Sequence, residues 1–88
     1  MNMTIEEAAV ISTEILGLPE PVFRRAMTAA KEMPEMKAEH FPPMSIALAI
    51  LGIGKAHEAD DIAAELTDAL ALVSKAETEY RTRMRASN

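Results

Sequence analysis

The sequence predicts an all-α protein, a small bundle of about four helices with a long C-terminal helix and a buried apolar third helix. Three observations carry this prediction. Residues 44 to 53, MSIALAILGI, form a ten-residue run without a charge. Alanine, leucine, glutamate, lysine and methionine, all good helix formers, dominate the rest. β-branched residues never cluster, and the apolar/polar alternation of a half-buried strand is missing over any useful length. With 88 residues there is material for one domain, near the size at which a single core only just outweighs chain entropy. Help from a second chain is therefore built into the expectation.

The first helix starts at a capping box. Thr4 and Glu7 stand three apart, so hydroxyl and carboxylate each satisfy backbone donors at the helix start. It runs to about Leu16, with Gly17 as the residue just past its end, where glycine takes the left-handed conformation cheaply. Ile5, Ala8, Ala9, Ile11, Ile15 and Leu16 make its apolar face, and Glu6, Thr13 and Glu14 look outward. The second helix begins near Pro19 to Pro21 and ends by Met33, because Pro34 cannot continue it. Phe23, Ala26, Met27, Ala30 and Met33 form its core stripe opposite Glu20, Arg24, Thr28 and Lys31. Residues 1–33 are thus an αα-hairpin.

Residues 34–43, PEMKAEHFPP, read as a proline-punctuated linker with room for one short helical turn, Met36 and Phe41 folding back as anchors. The third helix is the apolar run. At helical spacing Met44, Leu48 and Leu51 fall on one side and Ile46, Ile50 and Ile53 on the other, and a helix apolar all round is buried all round. It ends near Gly52 or Gly54, since each glycine inside a helix costs about 1 kcal/mol relative to alanine. The last helix begins near Asp60 or Asp61, with acids at the positive end of its dipole and Arg81, Arg83 and Arg85 at the negative end. Ile62, Leu66, Ala69, Val73, Ala76 and Tyr80 follow spacings of four and three, the seam of a helix packed along its length, with Leu70 and Leu72 widening it. At about 25 residues it is about 38 Å long against about 18–21 Å for the others. Its C-terminal half should overhang the bundle, and Leu66, Ala69, Val73, Ala76, Tyr80 and Met84 are the expected interface of a homodimer. Residues 44–88 form the second part of one helical domain spanning 1–88.

Composition excludes several functions. A net charge of −5 gives no general attraction to nucleic acid or an anionic membrane. With no cysteine there are no disulfides, thiolate nucleophiles or thiolate metal sites. The segment MNMTIEEAA lacks a basic and an apolar leader region, and ten apolar residues are too few to span a bilayer, so a cytoplasmic protein without membrane contact is expected. No set of nucleophile, base and oxyanion donor converges, so the chain reads as a non-enzyme without cofactor. Gly52, Gly54 and Lys55 lack the spacing and following hydroxyl of a phosphate loop. His57, Asp61 and Glu65 share a helical face with metal-ligand spacing, but the helix dipole accounts for acids there, and no metal is expected. Met27, Met33, Met36 and Met44 gather around the linker and read as core filling.

Two binding readings follow. Glu58, Asp60, Asp61, Glu65 and Asp68 occur without a base between them, an acidic ridge suited to a protein partner with a basic surface, as small phage-encoded inhibitors use. The primary expectation is a non-catalytic interaction or regulatory protein acting as a homo-oligomer through its last helix and this ridge. The alternative rests on AVISTEILGLPEPVFRRAM, residues 9 to 27, which resembles the helix-turn-helix segment of bacterial and phage regulators in its Leu-Gly-Leu turn and its Arg-Arg pair flanked by apolar positions. The resemblance implies that the helix from Glu20 to Met33 enters the major groove, with Arg24, Arg25, Thr28 and Lys31 on the DNA. Glu20 and Pro21 depart from that pattern, since a carboxylate repels phosphate and proline offers no donor. A plain hairpin turn with solvated arginines explains the same residues.

Overall fold

The computed structural model describes residues 3–34, 36–52 and 62–86, and among them it contains four helices and no strand. Helix α1, Ile5–Val10, continues into a π-helical segment, Ile11–Ile15. Helix α2 spans Glu20–Lys31, a 3-10 turn spans Ala38–His40, α3 spans Phe41–Leu51 and α4 spans Ile62–Ala86.

The capping box of α1 is formed as its chemistry requires. The Glu7 N–H donates to Thr4 Oγ1 at 3.1 Å, and the Thr4 N–H donates to Glu7 Oε1 at 3.0 Å. The helix then widens. The Leu16 N–H reaches the Ile11 carbonyl at 3.0 Å, and the Leu18 N–H reaches the Ser12 carbonyl at 2.9 Å, past Gly17 at φ 69°. That closing bond spans one residue more than a Schellman closure does, which is what an inserted π turn adds. A consequence is that Ile11 and Ser12, adjacent in sequence, are both fully buried. Thr13, expected to face outward, is half-buried and its hydroxyl donates to the Ala9 carbonyl at 2.8 Å.

Helix α3 lies at the centre, with its most extensive contacts to α2 and α4. Pro42, Pro43, Ser45, Ile46, Ala47, Leu48 and Ala49 are buried along it, so the expectation of a helix covered all round holds from Ser45 to Ala49, while Phe41, Met44, Ile50 and Leu51 are half-buried and Ile53 lies outside the described residues. Ile46 and Ala47 join Met3, Ala8, Ile11, Phe23, Ala69, Val73 and Ala76 in one apolar cluster. Leu48 and Ala49 join Ala26 and Ala30 in a second, flanked by Met33, Phe41 and Met44. Leu51 packs with the first cluster, not with Leu48 as its spacing suggested.

The start of α3 differs from the sequence reading. The helix takes in Phe41, Pro42 and Pro43, which the linker was expected to hold. Prolines fit the first turn, whose N–H groups have no intrahelical partner to lose and whose φ proline already favours. The turn at Ala38–His40 leads directly into it, and Gly52 at φ 73° closes the other end.

Helix α4 corrects the assignment of half of the expected seam. Ala69, Val73 and Ala76 are buried within the single chain, Val73 completely. Val73 and Ala76 are expected on an overhang, but the π segment and α3 reach far enough along α4 to cover them. The overhang is shorter and starts beyond Arg81, since Tyr80 packs against the same cluster and residues 82–86 are exposed. With 25 residues, α4 extends about 37 Å in a body measuring 43 × 23 × 21 Å, so it sets the long axis and runs past the cross-section of the bundle.

Candidate interaction surfaces

The last third of α4 is tied back to the chain's beginning. The Arg81 guanidinium donates to Glu7 Oε2 and, at 3.4 Å, to Glu77 Oε2. Glu7 therefore holds both its own helix cap and the far end of α4. Its carboxyl lies below the usual carboxylate range, chiefly because Arg81 donates to it and then because of the Thr4 N–H. The Arg81 guanidinium is held above its ordinary value by the same partner. It also sits 5.4 Å from the centroid of the half-buried Tyr80 ring, a cation–π distance. Next to it, Arg83 donates to Glu79 at 2.8 Å.

Among the described residues, two large apolar side chains stay exposed on α4: Leu72 at 49% and Met84 at 51%. Glu65 and Asp68 are exposed and precede Leu72 by seven and four positions, which places all three on one helical face. Of the residues assigned to the oligomer seam, Leu66 and Tyr80 are half-buried and Met84 is exposed, while Ala69, Val73 and Ala76 belong to the core. Of the acidic ridge, Glu58, Asp60 and Asp61 lie outside the described residues, as does His57 of the considered metal set. Among the described residues no group of three acidic or histidine side chains is arranged to hold a metal.

A second surface was not foreseen. Where α2 ends and α3 begins, two adjoining open hollows of about 380 and 360 Å³ share Met33, Met36 and Lys37. Phe41 completes the floor of one and Met44 that of the other, with Lys31 and His40 at the edges. Of the methionines read as core filling, Met27, Met33 and Met44 do pack against the core clusters, and Met33, Met36 and Met44 are also half-buried walls of the groove. Their clustering around the linker was the available signal. Composition alone does not say whether flexible thioethers fill an interior or line a surface, because they suit both. No acid lines either hollow among the described residues, although Glu32 and Glu39 stand nearby in sequence and Glu39 lies 3.6 Å from His40.

The residues named for DNA contact are all on the outer face of α2. Arg24, Arg25, Thr28 and Lys31 are exposed, but Arg24 donates to Glu20 at 2.6 Å, and the Thr28 hydroxyl donates to the Arg24 carbonyl at 3.3 Å. The structure thus brings these four together on one helix while engaging Arg24 with the carboxylate that departs from the regulator pattern. No helix among the described residues is long and apolar enough to cross a membrane. Compared with known proteins, the chain matches no protein-family model, no curated protein and no solved structure.

Proposed function

We propose that this chain is a non-catalytic interaction module that works through α4, self-associating and presenting an acidic face to a protein with a basic surface. The observation that carries the reading is the outer face of α4, where Leu72 stays half-exposed beside the exposed carboxylates of Glu65 and Asp68. An apolar anchor with carboxylates along one side of it is a binding arrangement. The leucine supplies area removed from water, and the carboxylates steer approach and reject acidic surfaces. Rim charges contribute mainly to association rate and specificity, so affinity is expected to follow the anchor.

The test is a comparison of Leu72→Ser and Met84→Ser with the unaltered protein in multi-angle light scattering and in affinity capture. Both sites are exposed, so circular dichroism should show an unchanged fold. Loss of self-association and of captured protein in Leu72→Ser supports the reading, and unchanged behaviour of both variants overturns it. Reading of DNA by α2 makes the opposite demand. Arg24→Ala with Arg25→Ala would then lower affinity for a duplex and flatten its salt dependence by about two phosphate contacts.

A further inference from the structure

We infer that the basic surface met by α4 is the methionine-lined groove of a second copy of this chain. The inference rests on the reading of α4 as the binding helix and names its partner. The charged residues lining the groove are Lys31, Lys37 and His40, with no carboxylate among the described lining residues. In a chain with 14 acids against 9 bases, Lys31 and Lys37 give this groove two exposed cations within its lining, although Glu32 and Glu39 flank it in sequence. Its floor of Met33, Met36, Phe41 and Met44 is apolar and adaptable, which suits an inserted aliphatic side chain.

The outer face of α4 is the complement: one aliphatic knob, Leu72, with Asp68 about 6 Å and Glu65 about 10 Å back along the helix. Lys75 and Glu79 continue the same stripe, and Glu79 is engaged by Arg83. Leu72 enters the floor, while Asp68 and Glu65 meet Lys31 and Lys37 at the edge. The groove is open along one side and would leave much of a small ligand in water, whereas a helix laid across it covers both hollows with successive side chains. Each copy carries one knob and one groove, so two copies close reciprocally into a twofold dimer without an unused site.

The experiment is a charge exchange. One variant carries Lys31→Glu and Lys37→Glu, the other Glu65→Lys and Asp68→Lys; all four positions are exposed, and circular dichroism checks that each variant folds. At about 100 µM, far above a micromolar dissociation constant, the unaltered 9.6 kDa chain should scatter as a particle of twice its mass. Each variant alone places like charges at both contacts and should dissociate at least about 30-fold more readily. Mixed in equal amounts, they pair opposite charges at both contacts, and the dimer should return. Unaltered protein that stays monomeric overturns the inference, leaving capture of another basic protein by α4 to be judged by Leu72→Ser. Dimers that survive in both single variants, or variants that do not recover on mixing, also overturn it and move self-association to another part of α4 such as Met84.

Discussion

Replacing Arg81 by glutamine should detach the end of α4 from the start of α1. Arg81 donates to Glu7 across 74 residues of sequence and to Glu77 within its own helix. The side chains of the first pair are 34% and 22% exposed, so water screens the contact only in part. A hydrogen bond to a charged group contributes about 1.5–3 kcal/mol, and a fully exposed ion pair about 0.2–1 kcal/mol. A pair this far from both limits should contribute about 1–2 kcal/mol. For a domain of this size that is a fall in Tm of about 5–10 °C.

Glu7→Gln is the matching change, because glutamine still caps the helix through Thr4 while losing the charge that attracts Arg81. A double-mutant cycle of the two, followed by urea unfolding, isolates the pair. Its pH dependence has a definite sign. Glu7's carboxyl is depressed in the folded chain by the Arg81 donor, so folding favours the charged form. The contribution is complete above the unfolded carboxylate value of about 4.3 and is lost as pH falls through the lower folded value. Coupling that is full at neutral pH and declines as the medium is acidified below the ordinary carboxylate range is the expected result. A cost below about 0.3 kcal/mol for Arg81→Gln, or coupling that persists in acid, would refute the argument.

Val73→Ala should destabilise by about 2 kcal/mol, two methyl groups plus the space they leave, and by the same amount at every protein concentration, because its cover comes from its own chain. A cost that varies with concentration in chemical unfolding would return Val73 to an interface between chains. Ser12→Ala should be neutral or raise stability by up to about 1 kcal/mol, since the buried Ser12 hydroxyl makes no hydrogen bond among the described residues; a clear loss would mean that the hydroxyl has a partner. Gly17→Ala should cost about 1–2 kcal/mol from the left-handed backbone alone, as an added Cβ meets nothing within 4 Å at φ +69°. A neutral result in thermal melts would show that the turn shifts to accept it.

What the sequence made legible is what short-range chemistry decides. Thr4 and Glu7 close their box because the two groups are three residues apart in any helix, and Gly17 and Gly52 end helices because only glycine takes positive φ without strain. The burial of α3 was equally readable, since a run without a polar stripe has no face to offer water. Pro42 and Pro43 were misplaced because proline marks the first turn of a helix as well as the chain before it, and only the turn at Ala38–His40 decides between them. Nothing in ISTEI distinguishes a π turn from an α turn, because the difference is one backbone register and not a side-chain type.

The seam of α4 failed for a different reason. Its spacing correctly marked Ala69, Val73 and Ala76 as covered, but periodicity states that a face is buried without stating by what. Length was used to choose a second chain, and length was a poor guide because helices lying alongside at an offset cover more of a long one than their own span suggests. The same distinction governs the candidate surfaces. Leu70 and Leu72 both read as widening the seam, yet Leu70 is half-buried and Leu72 exposed, because the apolar pattern does not state where the cover ends. The groove follows from no pattern, since Met33, Met36, Phe41 and Met44 come together only where one helix ends, the chain turns and the next begins. Which residues share a face of a single helix is written in their order, whereas a groove at a junction is written in the geometry of helix ends. The charge exchange between Lys31/Lys37 and Glu65/Asp68 is informative because it sets one kind of surface against the other.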